Sequence, residues 1–183
     1  LTGNGTGSVQ LQGSISAINA LLASASSVAY TPDSNFNGDD TFSMATNDNG
    51  NTGGAAITTT STIAMTITPG NDAPVASSVS ASGNEDAASI TFDLAGTDID
   101  GTVNSASVTT LPAAEQGILY LAGGTIPVTT LMVLTPAQMA GLVFTPTADF
   151  NGTVNIPFTV TDDAGLTSTA TNAVITVLSV NDA

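Results

Sequence analysis

Phe144-Thr145-Pro146-Thr147-Ala148-Asp149-Phe150-Asn151-Gly152 decides the fold, because the chain has already used it once, as Tyr30-Thr31-Pro32-Asp33-Ser34-Asn35-Phe36-Asn37-Gly38. The two stretches lie 114 positions apart, and at the same spacing Phe42 falls on Ile156 and Asp48 on Asp162. Gly70-Asn71-Asp72-Ala73 returns as Val180-Asn181-Asp182-Ala183 after 110 positions, so the first copy carries four extra residues, around 49–56. Turn signals and apolar positions recur in one order, which marks a repeated structural unit. A period of about 110 residues is the size of one β-sandwich module. Residues 71–183 then form a complete second module that ends in the next linker motif. Residues 1–70 are expected to be the C-terminal part of a first module whose first strands, about 40 residues, would precede Leu1.

Within the copies the apolar period is two. Ser89-Ile90-Thr91-Phe92-Asp93-Leu94 alternates, as do residues 154–160, 171–177 and, in the first copy, 62–68. Such alternation reads as half-buried strands, punctuated here by Gly, Asn, Asp and Pro. Ile90, Phe92, Leu94, Val160 and Val174 are the expected core. Short helical turns are expected at Ser16 to Leu22 and Thr135 to Leu142, each with a hydroxyl side chain available as cap.

Composition narrows the function. The chain has 15 acidic residues, no Lys, no Arg and no His, for a formal charge of −15. A nucleic-acid footprint needs basic residues, so that class is excluded. Nucleophilic catalysis through Ser-His-Asp or Cys-His is excluded for want of His and Cys. Zinc sites of Cys or His cannot form. No apolar run reaches the length of a membrane span, so membrane insertion is not expected. Leu1 to Gly7 lack the basic and apolar regions of a signal peptide, and the chain reads as a mature product or an excerpt. With 42% hydrophobic residues it is too apolar to stay unfolded.

Asn71-Asp72-Ala73-Pro74 opens the second module. Asn84-Glu85-Asp86, Thr97-Asp98-Ile99-Asp100-Gly101, the Phe144 to Gly152 motif, Val160-Thr161-Asp162-Asp163-Ala164-Gly165 and Val180-Asn181-Asp182-Ala183 follow. This order resembles the cadherin-like and VCBS-type immunoglobulin-like tandem repeats of giant bacterial surface adhesins. The resemblance implies an all-β chain of tandem immunoglobulin-like (cadherin-like) antiparallel β-sandwiches. It also implies an extracellular, cell-surface location, calcium at the module junctions, and neighbouring copies of the same module as partners, in the same chain or in a filament. One departure is Asn49, which stands where the second copy has Asp163.

In such a sandwich the entering linker, the loop after the second strand and the last hairpin share a pole. They carry Asn71 and Asp72, Asp98 and Asp100, and Asp162 and Asp163. With no basic residue in the chain, only a bound cation offsets the mutual repulsion of these carboxylates. Oxygen ligands in an Asp-x-Asp loop suit Ca2+, with Mg2+ second. At the other pole Glu85, Asp86, Asp149 and Asp182 are the complementary candidates. Asp33, with Asp39 or Asp40, is the candidate from the first copy. Each of these residues also makes an ordinary turn, since Asp and Asn bond their own backbone.

Catalysis by two carboxylates has little support: the chain has no Trp and two Tyr to build a sugar cleft, and Asp93 and Glu115 have no evident partner. The leading expectation is a non-catalytic structural repeat of an adhesin or fibre. The alternatives are a filament subunit completed by strand addition from a neighbouring chain, and a calcium-dependent carbohydrate-binding module. The adhesion target is not encoded in any motif.

Overall fold

Alternation places every second side chain on one face of a strand, and the two copies use that pattern to very different extents. The structure, a computed structural model, describes residues 7–24, 28–51 and 53–181. The chain divides into two compact units, Leu1–Gly70 and Asn71–Ala183.

The first unit contains a helix, α1 (Ile15–Leu22), and two strands, β1 (Gly38–Asn47) and β2 (Thr58–Ile67). Ser14 caps the helix by accepting a hydrogen bond from the Ala17 amide at 3.3 Å. β1 and β2 pair antiparallel from Gly38 opposite Ile67 to Asn47 opposite Thr58. No described residue of this unit is buried. Leu22, Val28, Tyr30, Phe42, Met44, Ile63 and Met65 line an open apolar hollow on the face of the hairpin.

The second unit is a β-sandwich. Its strands are β3 (Val75–Ser77), β4 (Val79–Asn84), β5 (Ile90–Phe92), β6 (Ala95–Thr97), β7 (Val103–Val108), β8 (Gly117–Tyr120), β9 (Val133–Leu134), β10 (Leu142–Pro146), β11 (Gly152–Asp162) and β12 (Thr171–Leu178). One helical turn, α2 (Pro136–Met139), precedes β10. One sheet has the order β4-β12-β11-β7-β9, another β5-β10-β8, and β3 pairs with β6. Every pairing is antiparallel except β4 with β12, which is parallel. The exception follows from the short break at Ser78. The first strand pairs antiparallel with β6, crosses to the other sheet, and continues in the same direction beside the last strand.

The core is aliphatic with three Phe. Ile90, Phe92, Leu94, Leu119, Leu142 and Phe144 meet Ala106, Val108, Val154, Ile156, Phe158, Val160, Ala173 and Ile175. Fully burying one such large side chain stabilises by about 1.5–3 kcal/mol. Val174 is not in this core: Ala173, Ile175 and Val177 point inward, and Val174 is half-buried on the outer face. Apolar residues stand on both faces of β12, so alternation alone did not choose the register, and a shift of one residue exchanges the faces. Asp93 is not within a strand. It separates β5 from β6 and accepts a hydrogen bond from the Gly141 amide at 2.7 Å.

The repeated turn is the same in both units. Asn35 and Asp149 occupy the left-handed region, with φ of 62° and 61°. The Phe36 amide bonds the Asp33 carbonyl, and the Phe150 amide bonds the Thr147 carbonyl, both at 3.1 Å. Asn and Asp tolerate this conformation better than other residues with a side chain.

Candidate functional site

The linker, the loop between β6 and β7, and the hairpin between β11 and β12 meet at one pole of the second unit. The Asn71 side-chain amide donates to Asp162 Oδ2 at 2.8 Å. The Asp72 backbone amide donates to both oxygens of Asp100, at 3.2 and 3.4 Å. Thr102 and Asp163 tie loop to hairpin twice: the Thr102 amide donates to Asp163 Oδ1 at 3.0 Å, and the Asp163 amide donates to the Thr102 carbonyl at 3.1 Å. The β7–β11 pairing shifts register between Thr161 and Asp162. Irregularities of this kind re-aim side chains at the ends of sheets.

Asp162 is the most buried of these acids, at 1% exposure. Its Oδ1 accepts the Leu166 amide at 2.8 Å. Burial pushes its carboxyl up, but the Asn71 amide and the backbone N–H groups of Leu166, Gly165 and Ala164 outweigh that and hold it below the usual carboxylate range. Asp162 is therefore satisfied by the protein and organises the hairpin.

Asp98 is different. Both its carboxylate oxygens are buried and neither has a hydrogen-bond partner. A buried, unpaired carboxylate is costly, and such groups are normally paired or coordinate a metal. Beside it, a Cβ built on Gly101 would lie 2.7 Å from Asp98 Oδ2 and 2.7 Å from Asp163 Oδ1. Two carboxylate oxygens from separate elements thus lie against Gly101. Carboxylate oxygens are donors that calcium takes, so the donor chemistry gathered at this pole fits that ion. Among the described residues, no group of three or more His, Cys, Asp or Glu is arranged to hold a metal ion. Further ligands would have to come from backbone carbonyls, amide oxygens or water, all of which calcium accepts.

The opposite pole is built otherwise. Glu85 is buried, and both its oxygens have protein donors: Oε1 accepts the Val180 amide at 2.8 Å and Oε2 the Asn151 side-chain amide at 3.0 Å. The Val180 N–H, followed by Asn151, holds its carboxyl below the usual range against the effect of burial. Asp86 and Asp149 are exposed, and Asp149 supplies the left-handed residue of the turn. Asp182 lies outside the described residues.

In the first unit, Asp33 makes the turn through its carbonyl, and Asp39 accepts the Thr66 hydroxyl at 2.9 Å. Asp40 accepts the Tyr30 hydroxyl and the Thr41 amide. The Tyr30 bond lowers the Asp40 carboxyl and raises the Tyr30 hydroxyl. Sequence reasoning missed this pair. The signal was present, since Asp40 stands where the second copy has Val154.

Two facing sheets with a first strand that switches between them define an immunoglobulin-like β-sandwich. Residues 71–175 match the family of bacterial Ig domains, and the chain belongs to that family. No curated protein and no solved structure matches the chain. Domains of this family are structural modules.

Proposed function

We propose that the chain is a non-catalytic structural repeat of an extracellular bacterial surface protein, of the cadherin-like type, in which calcium fastens the linker to the pole of the module it enters. The observation that carries this reading is the buried, unpartnered carboxylate of Asp98, facing Asp163 across Gly101. With no Lys, Arg or His in the chain, an external cation is the available counter-charge. Asp98 and Asp163 would hold it, Asp100 and Asp162 would add charge nearby, and Asn71 and Asp72 would be drawn to the pole through their bonds to Asp162 and Asp100. The ion supplies charge neutralisation and cross-linking of three elements. A repeat stiffened in this way suits an adhesin or fibre that projects a binding function from a surface.

The test is thermal melting in millimolar calcium and in excess chelator at fixed ionic strength, with small-angle scattering alongside. A higher melting temperature and a stiffer chain in calcium support the reading. Identical curves in both conditions overturn it.

A second reading, a filament subunit completed by strand addition, is favoured by the first unit. Its β1 pairs only with β2 among the described strands, and residues 28–32, the counterpart of β10, form no strand. Exposed strand edges are templates for another chain. Concentration-dependent polymers seen by light scattering would support this reading, and a monomer at all concentrations would sink it.

A further inference from the structure

We infer that the apolar hollow of the first unit receives a strand–turn–strand segment donated by a neighbouring chain and patterned like β4 and β5; this rests on the strand-addition reading above. The second unit shows what covers the equivalent face. There β4 runs parallel to β12 along its outer edge, and β5 then pairs with β10 in the opposing sheet. Residues 79–94 supply both strands in one stretch, and Ile90, Phe92 and Leu94 enter the core. Gly83 lets the two strands cross closely, since a Cβ there would lie 2.6 Å from Ile90 Cγ1. Three features of the first unit call for the same segment. The outer edge of β2 has no partner among the described strands. The apolar hollow is open. Residues 28–32, which stand where β10 does, form no strand. One donated segment answers all three, whereas a second β2 added at the edge would leave the hollow open.

The repeat spacing fixes the register. Ala173–Leu178 pair with Val79–Asn84, and the counterparts of 173–178 are Ile63 to Thr68. The donated edge strand therefore lies along 63–68, parallel to β2. In the opposing sheet Ile90 stands opposite Phe144 and Phe92 opposite Leu142, whose counterparts are Tyr30 and Val28. Large apolar side chains at those two positions of the segment enter the hollow that Val28, Tyr30, Ile63 and Met65 line. Charge selects the edge. β1 carries Asp39 and Asp40, whereas 58–67 has no charged residue and no Pro. Charges and Pro protect a strand edge, and an edge without them accepts another strand. The acid between the two donated strands also finds its partners. Glu85 takes the Val180 amide and the Asn151 side chain, and the counterparts Gly70 and Asn37 are exposed. The donor is another chain because residues 79–94 of this one are built into its own second unit.

The experiment titrates the full chain with a synthetic peptide of residues 79–94. In a Tyr120→Phe background Tyr30, in the hollow, is the single tyrosine and reports by fluorescence; calorimetry on the parent repeats the measurement without any substitution. The expected result is saturable one-to-one binding. A peptide carrying Ile90→Ser and Phe92→Ser should bind about tenfold more weakly or worse, because it loses the apolar burial. Register is read by cross-linking, since the chain has no Cys. Ser82 stands opposite Thr176, the counterpart of Thr66, so a Ser82→Cys peptide should form a disulfide with a Thr66→Cys chain and not with a Thr59→Cys chain. Absence of saturable binding, equal binding by the Ser-substituted peptide, or equal cross-linking at Thr59→Cys overturns the inference. If the chain nevertheless polymerises with concentration, strand addition stands and the donor has another pattern. A chain that neither binds the peptide nor polymerises overturns the strand-addition reading as well.

Discussion

The hairpins β1–β2 and β11–β12 are two versions of one object with opposite fates. Phe42, Met44, Ile63 and Met65 correspond in register to Ile156, Phe158, Ala173 and Ile175. The second set is completely buried, whereas Met44 is 39% and Ile63 61% exposed. The hairpin itself forms in both units, because turn and alternation are local. Burial requires the opposing strands, which among the described residues only the second unit supplies, as β5, β10 and β8. The segment before the turn shows the same effect: residues 142–146 form β10 between two neighbours, whereas residues 28–32, with the same apolar pattern ending in Thr-Pro, form no strand. At the core-facing position of Val154 the first hairpin carries Asp40, bonded to Tyr30 in place of the buried Phe144.

Truncation of equivalent residues should separate the two hairpins most strongly. Phe158→Ala should cost about 3–5 kcal/mol of unfolding free energy, and Met44→Ala about 0.5 kcal/mol, both read by denaturant melts. Comparable losses would mean that the first hairpin is covered in solution.

Calcium gives the next contrast. At a hundredfold excess over the dissociation constant, one site stabilises by about 2.7 kcal/mol. Asp98→Ala with Asp100→Ala should remove that increment and leave the β-sheet signal intact. Asp48→Ala should leave it unchanged, because Asp48 closes its own loop by accepting the Gly50 and Ile57 amides and is followed by Asn49 rather than a second acid. An increment that survives the double variant places the site elsewhere.

Acid should weaken the second unit. Asp162 and Glu85 have carboxyls lowered in the folded state, so their stabilisation is present above the ordinary carboxylate range of about pH 4 and is lost as pH falls through their lower folded values. Melting temperature followed downward from pH 5 should fall, and the fall should be shallower in Asp162→Asn and Glu85→Gln. Unchanged slopes in both variants would show that these carboxyls do not carry the acid response.

The smallest effect concerns Tyr30. Its hydroxyl is raised by the bond to Asp40 and by the Asp33 charge, so in a Tyr120→Phe background the single tyrosine should ionise above about pH 10. Asp40→Asn should lower that midpoint, as followed by ultraviolet absorbance. An unmoved midpoint would show that the pair does not persist in solution.

Much of the architecture was legible because it is local. The repeat marked two units, the 3.1 Å turn recurs where the motif recurs, and Ser14 caps its helix as hydroxyl caps do. The pole at which Asn71, Asp98, Asp100, Asp162 and Asp163 gather was readable from strand order. Their individual roles were not. Asp162 and Glu85 read like ligands but have protein donors on both oxygens, whereas Asp98, two residues from Asp100 in the same loop, has none.

Composition by itself determined that the chain has no basic counter-charge, no nucleophile–His pair and an aliphatic core. Periodicity determined strands rather than helices. Only the tertiary structure decided which face of β12 is inward and which carboxylate is left unsatisfied. Those outcomes depend on groups brought together from distant parts of the chain. Thr102 meets Asp163 and Asn71 meets Asp162 only once the sandwich has closed, and hydrogen bonding and burial are then assigned by distances that no local pattern contains.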